Sequence, residues 1–74
     1  MGSAPIVVHR PSESDGRRVT MHRHGQDEIL GLAHSDHGLV VFLEAAGVAD
    51  PDRALDDPRW VEWRGGRPHQ WSAA

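Results

Sequence analysis

Among the residue types that can carry chemistry, histidine is the one in excess: the 74-residue chain has six histidines and no cysteine. Imidazole binds transition metals and changes its charge near neutral pH. His22 and His24 project from one face of a predicted strand, while His34 and His37 lie where a predicted strand meets a predicted helix. These four residues therefore form a candidate site for Zn²⁺ or Ni²⁺.

A solvated, histidine-rich strand face is the competing interpretation. Four-histidine structural sites are unusual, and a helix N-terminus disfavours a bound cation. On the predicted hairpin, His9 lies roughly 13 Å from His22, too far for the two to share one ion. Protonation of all six histidines would change the formal net charge from −3 to +3. We therefore expect altered solubility or self-association below about pH 6.

The stretch from Trp60 to Trp71 contains all three tryptophans, together with Arg64 and Arg67. Trp and Arg are enriched at the energetic centres of protein interfaces. Arginines interleaved with aromatic residues also stack on single-stranded bases. We expect four of them to bind a protein partner or a second copy of the chain, with RNA or single-stranded nucleic acid as the alternative: Trp60, Arg64, Arg67 and Trp71. A purely structural role, in which the tryptophans complete a small core, is also open.

Composition argues against several functional classes. The sequence has no nucleophile elbow, phosphate loop or dinucleotide motif, so we expect neither an enzyme nor a small-molecule cofactor. A net charge of −3 argues against general nucleic-acid binding. No apolar run could span a bilayer and no secretory signal is present, so we expect a cytoplasmic protein. Basic residues that are all arginine, with abundant Ala, Gly, Asp and Pro, suggest a GC-rich bacterial genome.

An N-terminal hairpin must position the first three histidines. Residues 5–10 are dense in β-branched side chains, and residues 17–24 alternate with period two. Pairing Val8 with Val19 collects apolar side chains on one face, and the same register places Arg10 opposite Arg17. Residues 27–34 are interpreted as a third strand, with a helical turn as the alternative.

Residues 36–46 predict an amphipathic helix. Ser35 and Asp36 offer capping oxygens at its start, and Gly47 ends it. Val41 lies opposite the apolar stripe, so we expect it to be exposed. Asp50, followed by a proline, predicts a short second helical turn. The apolar stripe consists of Leu39, Phe42, Leu43 and Ala46.

The C-terminal stretch predicts a strand over residues 60–64, and Gly65 with Gly66 suits a hairpin turn. Residues 67–71 are then either a return strand or an irregular tail. We expect one α+β domain, in which a small single-layer antiparallel sheet (N-terminal hairpin plus C-terminal Trp-rich strand) packs on one amphipathic helix. Residues 5–71 are expected to be ordered, with frayed ends. This architecture suits a small non-enzymatic protein-interaction or regulatory accessory domain. Beside the helix stripe, the expected core consists of Ile6, Val8, Val19, Met21, Leu32, Leu55, Val61 and Trp63.

Overall fold

The computed structural model describes residues 4–13 and 15–72, which form a four-stranded sheet and two helices. The strands lie in the order β3-β2-β1-β4. The α+β architecture predicted from the sequence is confirmed. The predicted fraying of the chain ends falls partly on residues 1–3 and 73–74, and these lie outside the described residues. The elements are β1 (Ile6–Pro11), β2 (Arg17–Arg23), β3 (Gln26–Ala33), α1 (Asp36–Ala45), α2 (Pro51–Ala54) and β4 (Val61–Trp63).

The hairpin of β1 and β2 has the predicted register along most of its length. Val8 pairs with Val19, and both side chains are fully buried. The register shifts between Val8 and Pro11, so Pro11 rather than Arg10 lies opposite Arg17. Proline cannot donate a ladder hydrogen bond, which suits it to such an irregularity. The like-charged arginine pair expected at this end of the hairpin is therefore not formed.

Strand β3 is antiparallel to β2, which confirms the third strand. Leu32 was expected in the core, but 46% of it is exposed. It pairs with Arg18, whose side chain is also exposed, and alternation along a strand places both on the sheet face away from the core. The next residue, Ala33, is buried in place of Leu32.

Helix α1 spans nearly the predicted residues. Ser35 caps it in an extended conformation, and its Oγ accepts a hydrogen bond from the Gly38 N–H at 3.2 Å. Leu39 and Leu43 are fully buried, while Val41 is 48% exposed, as its position predicted. Helix α1 therefore closes the core from one face of the sheet.

The turn before α2 differs from the expectation in one respect. Asp50 occupies the N-cap position, but its side chain makes no capping hydrogen bond and its backbone is left-handed, with φ of 51°. The proline at the start of α2 supplies the preset backbone angle that a first helical turn needs. The element forms as predicted, without the predicted side-chain cap.

Strand β4 pairs with β1 in parallel, with Val8 opposite Trp63, so the sheet is mixed rather than entirely antiparallel. Because β3 and β4 run in the same direction at opposite edges, the intervening helices form a crossover between them. Residues 67–71 form no strand, and the irregular alternative is correct.

Both helices contribute to the core on one face of the sheet, and we call the opposite face the outer face. No helix within residues 4–13 and 15–72 has the length and apolar character needed to cross a membrane. The buried core consists of Ile6, Val8, Val19, Ala33, Leu39, Leu43, Val48, Ala54, Leu55 and Val61.

Candidate functional site

The outer face of the sheet carries an open groove of about 850 Å³ at the end where β1 and β4 finish. We call it the basic groove. Its floor comes from alternate side chains of three neighbouring strands, which point away from the core. The loop after β1 and the first residues after β4 form its walls. The principal lining residues are His9, Arg10, Glu13, Arg18, Leu32 and Arg64.

The charge of the basic groove is mainly positive. Within the described residues, no ion pair involves Arg10 or Arg18, whereas the Nε of Arg64 donates to the Glu62 carboxylate. The Nε2 of His9 lies 3.0 Å from the hydroxyl oxygen of a threonine on β2. Burial lowers the pKa of His9, and the charges of Arg64 and Arg18 lower it further. The lowered pKa favours the neutral form of His9, and the arginines supply the positive charge.

Exposed apolar side chains adjoin these arginines. Leu32 lines the basic groove, and Ile29, further along β3, is 69% exposed. Ile29 pairs with Thr20 of β2. Thr20 is two residues from Arg18, so both side chains lie on the outer face. Within the described residues, the outer face thus combines cationic and apolar groups and has no helix packed on it.

The four residues predicted to bind a partner do not share one surface. Arg64 lines the basic groove. Trp60 is 42% exposed just before β4, and Arg67 is exposed further along the chain. Trp71 is half-buried against the core, where its indole N–H donates to Asp36 Oδ1 at 2.8 Å. Of the predicted set, Arg64 is the one that the fold places in the groove.

The four candidate metal-ligating histidines are also dispersed. His22 contacts Asp27 at 2.8 Å, and His24 lies in the β2–β3 turn with φ of 53°. His34 follows the opposite end of β3: its neighbour Ala33 pairs with Arg17, which is separated from His22 along β2 by roughly 16 Å at 3.3 Å per strand residue. His37 is in the first turn of α1. The described residues form no group of three or more metal-ligating side chains. The length of the β2–β3 hairpin therefore prevents the expected four-histidine cluster.

Sequence reasoning missed the role of Arg17, which is fully buried. Its guanidinium lies 5.2 Å from the centroid of the Trp63 ring. The signal was available, because period-two alternation puts Arg17 on the same face of β2 as Val19. The guanidinium donates to five carbonyl oxygens, those of Val8 (3.4 Å), His9 (2.7 Å), Arg64 (2.9 Å), Arg67 (2.8 Å) and Gln70 (2.9 Å).

The C-terminal segment, residues 64–72, is attached to the helices through His69. Its two ring nitrogens each lie 2.7 Å from a carboxylate oxygen, Nδ1 from Asp36 and Nε2 from Asp56. Hydrogen bonds to Asp56 and then to Asp36 raise the pKa of His69. Of the two residues expected to offer capping oxygens to α1, Ser35 is the cap, which leaves both oxygens of Asp36 to accept from His69 and Trp71.

Comparisons of the chain with protein-family models, with curated proteins and with solved structures found no match. Two features stand out on the described residues: the uncovered basic groove, and the C-terminal segment held by buried Arg17 and by His69.

Proposed function

We propose that this chain is a small non-enzymatic protein-interaction module whose basic groove binds an extended acidic segment of a partner protein. The observation that supports it is that Arg10 and Arg18 line the same groove as the exposed side chain of Leu32, on an uncovered face of the sheet. Neither arginine has an ion-pair partner among the described residues. Guanidinium groups bind carboxylates through paired, charge-assisted hydrogen bonds. The local positive charge of this surface favours an acidic partner, against the chain's net charge of −3.

An extended segment fits the geometry of the basic groove. The groove crosses the ends of the strands and combines arginines with an apolar side chain. Side chains of an extended peptide alternate between two sides. A peptide in which acidic and apolar residues alternate could therefore place its carboxylates toward Arg18 or Arg10 and its backbone along Leu32.

Nucleic acid is less well suited to this surface. Single-stranded bases need exposed aromatic rings for stacking. No tryptophan is among the residues that line the basic groove, and Trp63 and Trp71 pack against the core instead. A regulatory accessory role and a cytoplasmic location are part of the same proposal.

An NMR titration with a peptide of alternating Glu and Val residues tests the proposal. We expect saturable shifts at the amides of His9, Arg18 and Leu32, and weaker binding at higher salt because the contacts are partly exposed. Arg18→Gln should weaken binding. Its matched control is Arg53→Gln, which removes an exposed arginine from α2 and should leave binding unchanged.

Two results would contradict acidic-segment binding: equal binding of the same peptide with Lys in place of Glu, or no effect of Arg18→Gln. An oligo-dT strand that binds more tightly and displaces the peptide would replace the proposal with nucleic-acid binding. If the same amides shift with protein concentration alone, the occupant is a second copy of the chain, and sedimentation would show the dimer.

A further inference from the structure

A bridge of two carboxylates and one imidazole joins the C-terminal segment to both helices. Asp36 belongs to the first turn of α1, and Asp56 follows α2. Both nitrogens of His69 lie 2.7 Å from an oxygen of these residues. We call Asp36, His69 and Asp56 the carboxylate–histidine bridge.

The bridge needs a protonated imidazole. A neutral histidine has one N–H, whereas an imidazolium has two and can donate to both carboxylates at once. With neutral His69, a nitrogen lone pair would face a carboxylate oxygen at the observed 2.7 Å, which is repulsive. Loss of the proton therefore removes one hydrogen bond and the charge that holds the two aspartates together.

The groups that face His69 from the neighbouring elements favour its protonation. Asp36 from α1 and Asp56 beyond α2 are both anionic, and Trp63 of β4 contributes an uncharged ring 5.3 Å away. Arg17 of β2 reaches the same segment through the carbonyls of Arg67 and Gln70. The net effect raises the pKa of His69, chiefly through the hydrogen bonds to Asp56 and Asp36.

We propose that the protonation state of His69 controls the docking of residues 67–72: the imidazolium holds them against the helices, and the neutral imidazole releases them. Docking is cooperative because the same residues make other contacts. The carbonyl of Trp71 accepts a hydrogen bond from the buried Gly16 amide at 2.9 Å, and its indole donates to Asp36. Release therefore breaks several hydrogen bonds together, both at the connection between β1 and β2 and at Asp36 of α1.

The Gly16 amide provides a local measurement of docking. Its hydrogen-exchange protection, corrected for the intrinsic pH dependence of exchange, should be lost as the pH rises from about 6 to 9. The His22 amide, which donates to the Pro5 carbonyl at 2.7 Å on the same hairpin, is the internal control. Its protection should persist, which shows that the sheet remains folded while the segment leaves.

Variants connect the transition to the bridge. Asp56→Asn keeps an acceptor oxygen but removes a charge, so the transition should move to lower pH. His69→Gln should abolish the pH dependence of Gly16 protection. His24→Asn is the matched control, because it removes an exposed histidine at a turn where asparagine tolerates the positive φ; the transition should be unchanged.

The inference is overturned if Gly16 protection in the unmodified chain is constant over this pH range. It is also overturned if the transition persists in His69→Gln, or if its midpoint is the same in Asp56→Asn. Protection of the His22 amide distinguishes release of the segment from unfolding in each variant. None of these measurements depends on a ligand in the basic groove.

Discussion

Arg17 illustrates how a charged side chain can be part of a small core. All five of its N–H groups are directed at carbonyl oxygens, so the guanidinium is buried with its hydrogen bonds satisfied. Alternation along β2 predicts which face Arg17 occupies. It does not predict the acceptors, because three of them belong to an irregular segment about fifty residues away with no pattern of its own.

Replacement of Arg17 by lysine tests this network at the residue scale. The ammonium has three donors on a flexible stem, so at least two of the five hydrogen bonds would be lost. A hydrogen bond to a charged group contributes about 1.5–3 kcal/mol. We therefore expect Arg17→Lys to lower the free energy of unfolding by about 2 kcal/mol or more, measured by urea denaturation.

Arg18→Lys is the matched control for that measurement. Arg18 is the adjacent residue but lies exposed on the outer face. A surface exchange of this kind changes stability by less than about 0.5 kcal/mol. Equal urea midpoints for the two variants would show that the carbonyl contacts of Arg17 contribute nothing to stability.

At the scale of elements, local periodicity predicts the features that depend only on residues close together in the sequence. The two faces of the β1–β2 hairpin and the apolar stripe of α1 follow from spacings of two and of three to four residues. The parallel pairing of β4 with β1 depends on residues more than fifty positions apart, and no local signal specifies it.

Gly65 shows where a correct local signal leads to the wrong element. The glycine pair predicted a positive φ, and Gly65 has φ of 69°. An added Cβ there would clash with the Cβ of Arg10, so the glycine lets the backbone pass β1 closely. The carbonyls of Arg67 and Gln70 accept from Arg17, and the chain does not return along β4, so the described residues form no hairpin at the C-terminal end.

Gly31 tests the contact between β3 and α1. It has φ of 149°, and an added Cβ would lie 2.6 Å from Cζ of Phe42. Gly25 also has a positive φ, of 75°, but nothing lies within 4 Å of its added Cβ. Gly31→Ala should therefore reduce stability more than Gly25→Ala, by about 1–3 kcal/mol for the overpacking.

Thermal or urea unfolding of both variants measures the difference. Phe42→Leu in the Gly31→Ala background is expected to recover part of the loss, because it removes ring atoms from the crowded contact. Gly31→Ala and Gly25→Ala with the same stability would mean that Phe42 does not pack on Gly31.

For the molecule as a whole, two histidines on opposite sides of the sheet respond to pH with opposite sign. His9 has a lowered pKa, first because it is partly buried and then because Arg64 and Arg18 are close. His69 has a raised pKa because of Asp56 and Asp36. Carboxylates thus dominate the surroundings of His69, whereas burial and two arginines outweigh the carboxylates near His9.

The free energy of unfolding should consequently fall on both sides of a maximum near pH 6.5, the ordinary histidine pKa. With a raised folded-state pKa, the contribution of His69 is complete below about pH 6.5 and is lost as the pH rises through the folded-state value. With a lowered folded-state pKa, the contribution of His9 is present above about pH 6.5 and is lost as the pH falls.

Urea unfolding of two single variants across this range separates the two contributions. Relative to the unmodified chain, His69→Gln should flatten the alkaline side of the profile, and His9→Gln should flatten the acidic side. His24→Asn should preserve the shape of both. If His69→Gln instead flattens the acidic side, the folded state binds the proton less tightly than the unfolded chain does, and the carboxylate–histidine bridge cannot be what holds the C-terminal segment in place.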